Sequence, residues 1–315
     1  MAKYVICVDG GTTNTRLVLM KDGTECDRIK MNTGAGSTAK NGNNNELKEQ
    51  FKIHLNKLLD KNNLAESDIE QIILSGMICS ELGLHCVPHV KTLAGAKELK
   101  NACENVVLSD ITSIPMTFIP GVKTVSENIC EMDIMRGEET ELTGIRKLLN
   151  LNDSFVLMLP GTHNKIIFAD GDGRIVNFFT AMSGELTKTV CDNTNLKEAL
   201  DGGFTKTPDT DAVLFGYDTA EELGVTSALF KVRILSKFSD CSAKQLYSFL
   251  LGVILHEDVL LAQKKADGCV IVAGSEPFKS ALKCILDNRT ALPSEILSDD
   301  ISDRCVSVGQ LEIVE

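Results

Sequence analysis

Residues 7–20 read CVDGGTTNTRLVLM. An acid, Asp9, ends one apolar run, a Gly-Gly-Thr-Thr tip follows, and a second apolar run begins after Arg16. Backbone N–H groups in a tight, glycine-rich turn can converge on an anion. Gly10 and Gly11 carry no side chain, so a phosphate can approach the main chain. Thr12 and Thr13 add hydroxyl donors. Asp9 would repel a phosphate, and its presence makes sense where a Mg²⁺ stands between them, directly or through water. Arg16 adds a cation that can donate in parallel to a carboxylate or a phosphate. A plain hairpin with a capping Asp is the competing reading, and this turn alone does not separate the two.

A second turn does. Residues 155–173, FVLMLPGTHNKIIFADGDG, repeat the plan of residues 4–23, YVICVDGGTTNTRLVLMKDG. Each has an apolar strand, a Gly-Thr turn, a second apolar strand and an Asp-Gly hairpin. Gly161, Thr162, His163, Asn164 and Lys165 repeat the donors without the acid, with Pro160 in the place of Asp9. One half would then hold a metal and one phosphate, and the other half the remaining phosphates.

The elements that must position these turns follow from pattern. Strands are expected over 3–8, 16–20 and 25–31, with Asp22-Gly23 as a tight turn. Residues 33–45, rich in Gly, Asn and Ser, read as a mobile loop. Leu47, Phe51, Leu55, Leu58 and Leu59 have helical spacing over 46–60, and a short buried strand over 72–74 ends in Ser75-Gly76. In the second half, Met182-Ser183-Gly184 echoes the end of the third strand. A long helical pattern over 242–266 leads into a strand over 270–273 and Gly274-Ser275. Correspondences in matching order imply two related halves. The fold class is therefore α/β, with domains 1–150 and 151–315, each a three-stranded ribbon followed by helix and strand. Two such halves leave a cleft, a favoured ligand site, into which both turns would point.

Bulk properties remove other classes. The chain has 315 residues, 32 Lys+Arg against 44 Asp+Glu, and a net charge of −12, which argues against a nucleic-acid partner. No run approaches the roughly 18 apolar residues of a membrane span. The N-terminus enters a strand at once, without an apolar signal core. None of the 11 cysteines forms a CxxC pair, and Cys7, Cys269 and Cys284 sit in apolar runs. They read as reduced, buried thiols of a cytoplasmic protein. The sequence leaves the oligomeric state open, a homodimer being one form it allows. A GxGxxA match at 34–39 lacks a helix directly after it, no GxxxxGK[ST] occurs, and His85, Cys86 and His89 are too loosely spaced for a metal site.

Phosphoryl transfer needs positioning, charge neutralisation and often a carboxylate that accepts the hydroxyl proton. Arg136-Gly137-Glu138-Glu139-Thr140 opens a helical segment whose stripe is Leu142, Ile145, Leu148 and Leu149. Acids in a first helical turn are also what the helix dipole favours on structural grounds alone. Arg16 and Arg136 are the candidates for attracting an anionic substrate, an alternative for Arg136 being a salt bridge with Glu138 or Glu139.

Several stretches carry a family resemblance: VDGGTTNTRLVL from Val8, LSGMICSELG from Leu74, DIMRGEETELTG from Asp133, LPGTHNKIIFADGDGRIVNFFTAMSGEL from Leu159 and LFKVR from Leu229. The chain resembles the 2-dehydro-3-deoxygalactonokinases, within the sugar kinase, actin and heat-shock ATPase superfamily, nearly end to end. DGGTT marks only the superfamily; GTHNK and MRGEET are specific. The resemblance implies two ribonuclease-H-like domains around a closing cleft. It implies ATP- and Mg²⁺-dependent phosphorylation of 2-dehydro-3-deoxy-D-galactonate, a small sugar acid, at the 6-hydroxyl, as in galactonate degradation. In related sugar kinases a Gly-Asp pair opens a helix shortly before the second phosphate turn, its Asp acting as base. Gly137-Glu138 stands in that place, so Glu138 is the expected base, with Asp133 and Glu139 as rivals. Ser75, Gly76 and Met77 would offer backbone donors to the substrate, and Gly274 and Ser275 would pack against the adenosine. The chain departs from the family pattern at Leu84 and Ile166, where aromatics are expected, and at Asn193-Thr194, where a His-Ser pair is usual. If these positions line the sugar pocket, the preferred acid shifts. The alternatives are a kinase of the same superfamily for another sugar, sugar acid or amino sugar, and a nucleotide-gated interaction protein of the actin or chaperone kind.

Overall fold

A computed structural model describes residues 4–315. The chain divides into two compact units. The first runs to Asn152 and takes in Gly173–Ile175 and Asp300–Glu315; the second comprises Asp153–Asp172 and Val176–Asp299. The division expected at 150/151 is corrected at the C-terminus, because the helix Asp299–Val314 packs almost wholly within the first unit.

The first unit is built on β1 (Tyr4–Gly10), β2 (Thr15–Lys21), β3 (Thr24–Met31) and β4 (Ile69–Gly76). The β2–β3 turn has Asp22 at φ 47 and Gly23 at φ 77, the paired left-handed conformations of a two-residue hairpin. β4 then joins parallel to β1. β5 (Val90–Lys91), β6 (Glu104–Val106), β7 (Met116–Phe118), β8 (Val122–Thr124) and β9 (Asp133–Met135) complete the unit. The main sheet has the order β3-β2-β1-β4-β7-β6, and β5-β8-β9 form a small separate sheet.

Alternation along the strands decides what lies on each face. Ile6, Val8, Leu17 and Leu19 face Leu47, Phe51, Leu55 and Leu58 of the helix Asn45–Lys61. Cys7, Val18 and Met20 face the other way and pack with Leu311 of the C-terminal helix. β3, covered on one side only, alternates between exposed and shielded residues.

The second unit repeats the plan with β10 (Phe155–Leu159), β11 (Asn164–Ala169), β12 (Ile175–Ala181), β13 (Cys269–Val272) and β14 (Ser294–Ile296) in the order β12-β11-β10-β13-β14. In both units the second strand is antiparallel to the first and the post-helix strand parallel to it. This is the duplicated ribonuclease-H-like α/β arrangement. The helix Ala243–Lys265 starts at a capping box in which Ser242 and Gln245 satisfy each other's backbone N–H. By length and composition this helix could cross a membrane, although no such run was expected; 78% of its apolar window is buried as the core of the second unit.

Two further expectations are corrected. Residues 33–45 are not one loop: Ala35–Asn41 form a helix ended by Gly42 in the left-handed conformation. The cysteines are all free, but only Cys7, Cys79 and Cys305 are buried, with Cys269 and Cys284 partly shielded and Cys26, Cys86 and Cys130 exposed.

Candidate active site

The first turn sits at the end of β1, where Asp9 lies directly across the ladder from Arg16. Arg16 Nη2 approaches Asp9 Oδ2 at 3.2 Å. Burial pushes the Asp9 carboxyl upward, and Arg16 opposes that. Gly10 is required here, since a Cβ would stand 2.4 Å from Ile78 Cβ. The helix Ala35–Asn41 backs the turn: Ala35 N donates to Gly11 O at 3.1 Å and Gly36 N to Thr12 O at 2.8 Å. With those carbonyls held from behind, the Thr12 and Thr13 amides have no partner among the described residues. Amides left in this way are what an anion needs.

The second turn is held in the same way. Glu185 N, in the helix Ser183–Asn193, donates to Thr162 O at 2.8 Å. A Cβ on Gly184 would fall 1.8 Å from Gly161 O, as one on Gly34 would fall 2.3 Å from Gly11 O. Thr162 and His163 keep unpartnered amides among the described residues. The His163 ring pairs with Glu185 at 2.8 Å.

The register between the turns differs from the sequence expectation. Gly76 (φ 82) and Gly274 (φ 78) are equivalent, each placing a would-be Cβ 2.6 Å from a carbonyl oxygen, that of Gly10 and of Pro160 respectively. Pro160 therefore corresponds to Gly10, and the counterpart of Asp9 is Leu159. Lys165 stands across from Leu159 as Arg16 does from Asp9. Lys165 is buried, and its Nζ donates to Thr180 Oγ1 at 2.6 Å.

The Glu138–Leu149 helix begins beside β4: a Cβ on Gly137 (φ 118) would lie 3.3 Å from Gly76 Cα. Glu138 is partly exposed, and its Oε2 accepts from Arg136 N at 3.0 Å. Glu139 is fully buried, with both carboxyl oxygens facing Gly137 N at 2.8 and 2.9 Å. Burial and then the Glu138 charge push it up to about 8. Asp133 lies on β9, where its carboxyl caps Ile134 N at 2.7 Å. Glu141, which the sequence reading passed over, lies in the electrostatic field of Asp9, Glu138 and Arg16, and burial followed by Asp9 pushes it up to about 8. Its signal was the i, i+3 spacing from Glu138, which puts both on one helix face.

Arg136 makes neither of the salt bridges considered for it. Its guanidinium donates to the carbonyls of Cys79 and Val87, both at 2.7 Å, and contacts His89 Nδ1 at 3.3 Å. His85 pairs with Glu104 at 2.6 Å, so the two histidines have separate partners. Ser75 is buried, its Oγ held by Gln310 Nε2 at 2.8 Å, while the same nitrogen donates to Val8 O at 2.7 Å. Gln310 is a polar residue the sequence pattern did not single out.

In the second unit, Gly274 and Ser275 lead through Pro277 into the helix Phe278–Arg289. Phe278, at the start of that helix, also lines a cavity of about 380 Å³ with Phe204, Tyr247, Lys188, Lys197 and Asp201 among others. Leu84 and Ile166 are core residues in their respective units.

The family model described as 2-keto-3-deoxy-galactonokinase matches residues 9–306. A 2-dehydro-3-deoxygalactonokinase of Escherichia coli (strain K12) is 26% identical over 270 residues, covering 82% of this chain and 80% of that protein. A Rhizobium meliloti (strain 1021) protein given the same name by assignment is 27% identical over 282 residues, covering 87% and 86%. A solved structure from Sinorhizobium meliloti, assigned to the same activity, superposes with a TM-score of 0.80 at 24% identity, over 98% of this chain and 95% of that one. That likeness shows the fold.

Proposed function

We propose how this chain, which belongs to the 2-keto-3-deoxy-galactonokinase family, divides its reaction among the residues described above. It is a sugar-acid kinase that phosphorylates 2-dehydro-3-deoxy-galactonate at the 6-hydroxyl. In this proposal ATP is the donor. The observation that carries it is the repeated turn, with glycine-packed carbonyls behind and free amides in front, in both units.

Gly10, Gly11, Thr12 and Thr13 form one phosphate cradle, and Gly161 and Thr162 another. Gly274 and Ser275 flank the adenosine, and the cavity that Phe278 lines offers Phe204 and Tyr247 as apolar surface for a base, with Lys188, Asp192, Lys197 and Asp201 also in its wall. Lys165 is sealed against Thr180, so it acts by fixing β11 and by its charge rather than by direct contact.

Asp9 suits a magnesium ion. It is a hard oxygen donor, and its side chain keeps 29% exposure beside Arg16. Among the described residues no cluster of three or more ligating side chains exists; Asp9 with water and phosphate oxygens matches the way Mg²⁺ is usually held. Bound there, Mg²⁺ supplies charge neutralisation at the phosphate oxygens. Glu138 takes the proton from the 6-hydroxyl, being the more exposed member of its pair. Glu139 is too enclosed, and Asp133 lies on another sheet. Arg16, half exposed, attracts the substrate carboxylate, and Ser75, Gly76 and Met77 offer backbone donors. Arg136 serves the substrate indirectly, by tying down the 79–87 segment.

The test is ADP formation from ATP with 2-dehydro-3-deoxygalactonate and a panel of other 3-deoxy-2-oxo sugar acids. Turnover of roughly 1–100 s⁻¹ with the named acid is expected. ADP release indifferent to every sugar acid would overturn the reading.

A further inference from the structure

We propose that Asp258 is a positioning residue that sets the geometry of the second phosphate turn through Asn164. The proposal rests on the reading that this turn holds a phosphate of ATP. Asp258 lies on the helix Ala243–Lys265 and is fully buried. One carboxyl oxygen accepts from Ser183 Oγ at 2.6 Å and the other from Asn164 Nδ2 at 2.5 Å. The far end of the Asn164 amide, Oδ1, accepts from Gly161 N at 2.9 Å. A buried acid thus reaches the turn through one side-chain amide.

Comparison of the two turns explains why such a device is needed. Between the paired residues Asp9 and Arg16 the chain runs through Gly10 to Thr15, and the first turn closes on its own backbone, Gly11 N donating to Asn14 O at 2.9 Å. Between Leu159 and Lys165 it runs through Pro160 to Asn164, one residue fewer. There the Asn164 side chain replaces the missing carbonyl. A backbone carbonyl is fixed by the chain, whereas an amide side chain can rotate and present Nδ2, a donor, to Gly161 N. Asp258, a pure acceptor when ionised, holds Nδ2 and so fixes Oδ1 towards Gly161. Ser183, one residue before the Gly184 that packs on Gly161 O, holds the second oxygen. Burial pushes the carboxyl up to about 6, against the pull of these two donors, which leaves it an acceptor at neutral pH.

Three variants, each read by calorimetric binding of ADP and of adenosine, test the assignment. Asp258→Ala removes the acceptor and leaves the buried Asn164 Nδ2 and Ser183 Oγ without it, so a less stable fold is expected alongside the binding change. ADP affinity is expected to fall about tenfold, with KM for ATP rising in step and KM for the sugar acid within about twofold. Asp258→Asn keeps an acceptor for Asn164, since the Ser183 hydroxyl can turn to accept, and retains ADP affinity within about threefold. Adenosine, which lacks phosphate, binds alike in all. A role in stability alone would not separate ADP from adenosine. Should Asp258→Ala not fold, Asn164→Ala cuts the same link from the turn and is expected to lose the same ADP affinity. Wild-type ADP affinity in Asp258→Ala or Asn164→Ala, or an Asp258→Asn as weak as Asp258→Ala, would overturn the proposal. A wild-type protein that binds no ADP would instead sink the nucleotide reading on which it rests.

Discussion

Glu138 and Glu139 are adjacent in sequence and opposite in circumstance. Glu139 is buried against Gly137 N, while Glu138 keeps a partly exposed carboxylate at the start of the helix that abuts the Gly76 backbone. Glu138→Gln is therefore expected to fold and bind nucleotide normally but to lose about 10²–10⁴ in kcat; an unaltered kcat would remove it from the role of base. The two arginines divide in a similar way. Arg16 is half exposed and paired with Asp9, so Arg16→Ala should change stability by less than about 1 kcal/mol while raising KM for the sugar acid. Arg136 holds two backbone carbonyls. Arg136→Ala leaves that charge-assisted pair unmade and should cost about 2–4 kcal/mol in urea unfolding. Sequence spacing named both arginines, but only the folded chain separates a cation facing outward from one consumed by carbonyls far along the sequence.

At the scale of elements, the Glu138–Leu149 helix carries a pH-dependent strain. Glu139 has an ordinary value near 4.5 in the unfolded chain and about 8 in the fold. Between those values the folded state binds more protons than the unfolded one, so this group's contribution to stability falls as pH rises through that window. The Glu139→Gln variant cannot ionise. Thermal unfolding of both proteins from pH 5 to pH 8 should show their difference moving in the variant's favour. The slope is at most about 1.4 kcal/mol for each pH step of one, a few kcal/mol in all. A constant difference would mean that Glu139 is ionised throughout. The strands β1 to β4 and β10 to β13 and the helices Asn45–Lys61 and Ala243–Lys265 were legible because their apolar spacing is strong, Leu47 to Leu59 and Leu246 to Leu261, whereas the short strands β5 to β9 and β14 and the helices Thr210–Leu223 and Asp299–Val314 were not. The helix Ala35–Asn41 was not, because Gly34-Ala35-Gly36-Ser37 has loop composition and its helicity comes from contact with the Gly11 and Thr12 carbonyls. The same limit hid Asp258 and Gln310. Asp258 sits at core spacing from Leu251, Ile254 and Leu261, where an acid reads as an interruption until its partners Asn164 and Ser183 are seen.

The first unit is assembled from both ends of the chain, and no local pattern could have indicated that. The expected boundary near residue 150 followed the repeat, and the repeat is real in strand order, yet the helix Asp299–Val314 leaves it. Its contacts are not incidental. Gly309 and Gly144 interlock so closely that a Cβ on either would fall within 2 Å of the other helix, 1.9 Å from Thr140 O and 1.8 Å from Cys305 O. Gln310 holds Val8 O and Ser75 Oγ at the ends of β1 and β4, and Leu311 covers Cys7, Val18 and Met20. A fragment ending at Asn152 would expose that face of the sheet and leave these polar atoms without Gln310. Burial of a few large apolar side chains, about 1.5–3 kcal/mol each, is comparable to the whole stability of a domain, about 5–15 kcal/mol. The 1–152 fragment is thus expected to lack a cooperative thermal transition. The same fragment with residues 299–315 appended through a flexible linker should regain one, and Gln310→Ala in that linked form should lower its midpoint by several degrees. A cooperative transition in the bare 1–152 fragment, at the midpoint of the linked form, would show that the C-terminal helix is dispensable to the first unit.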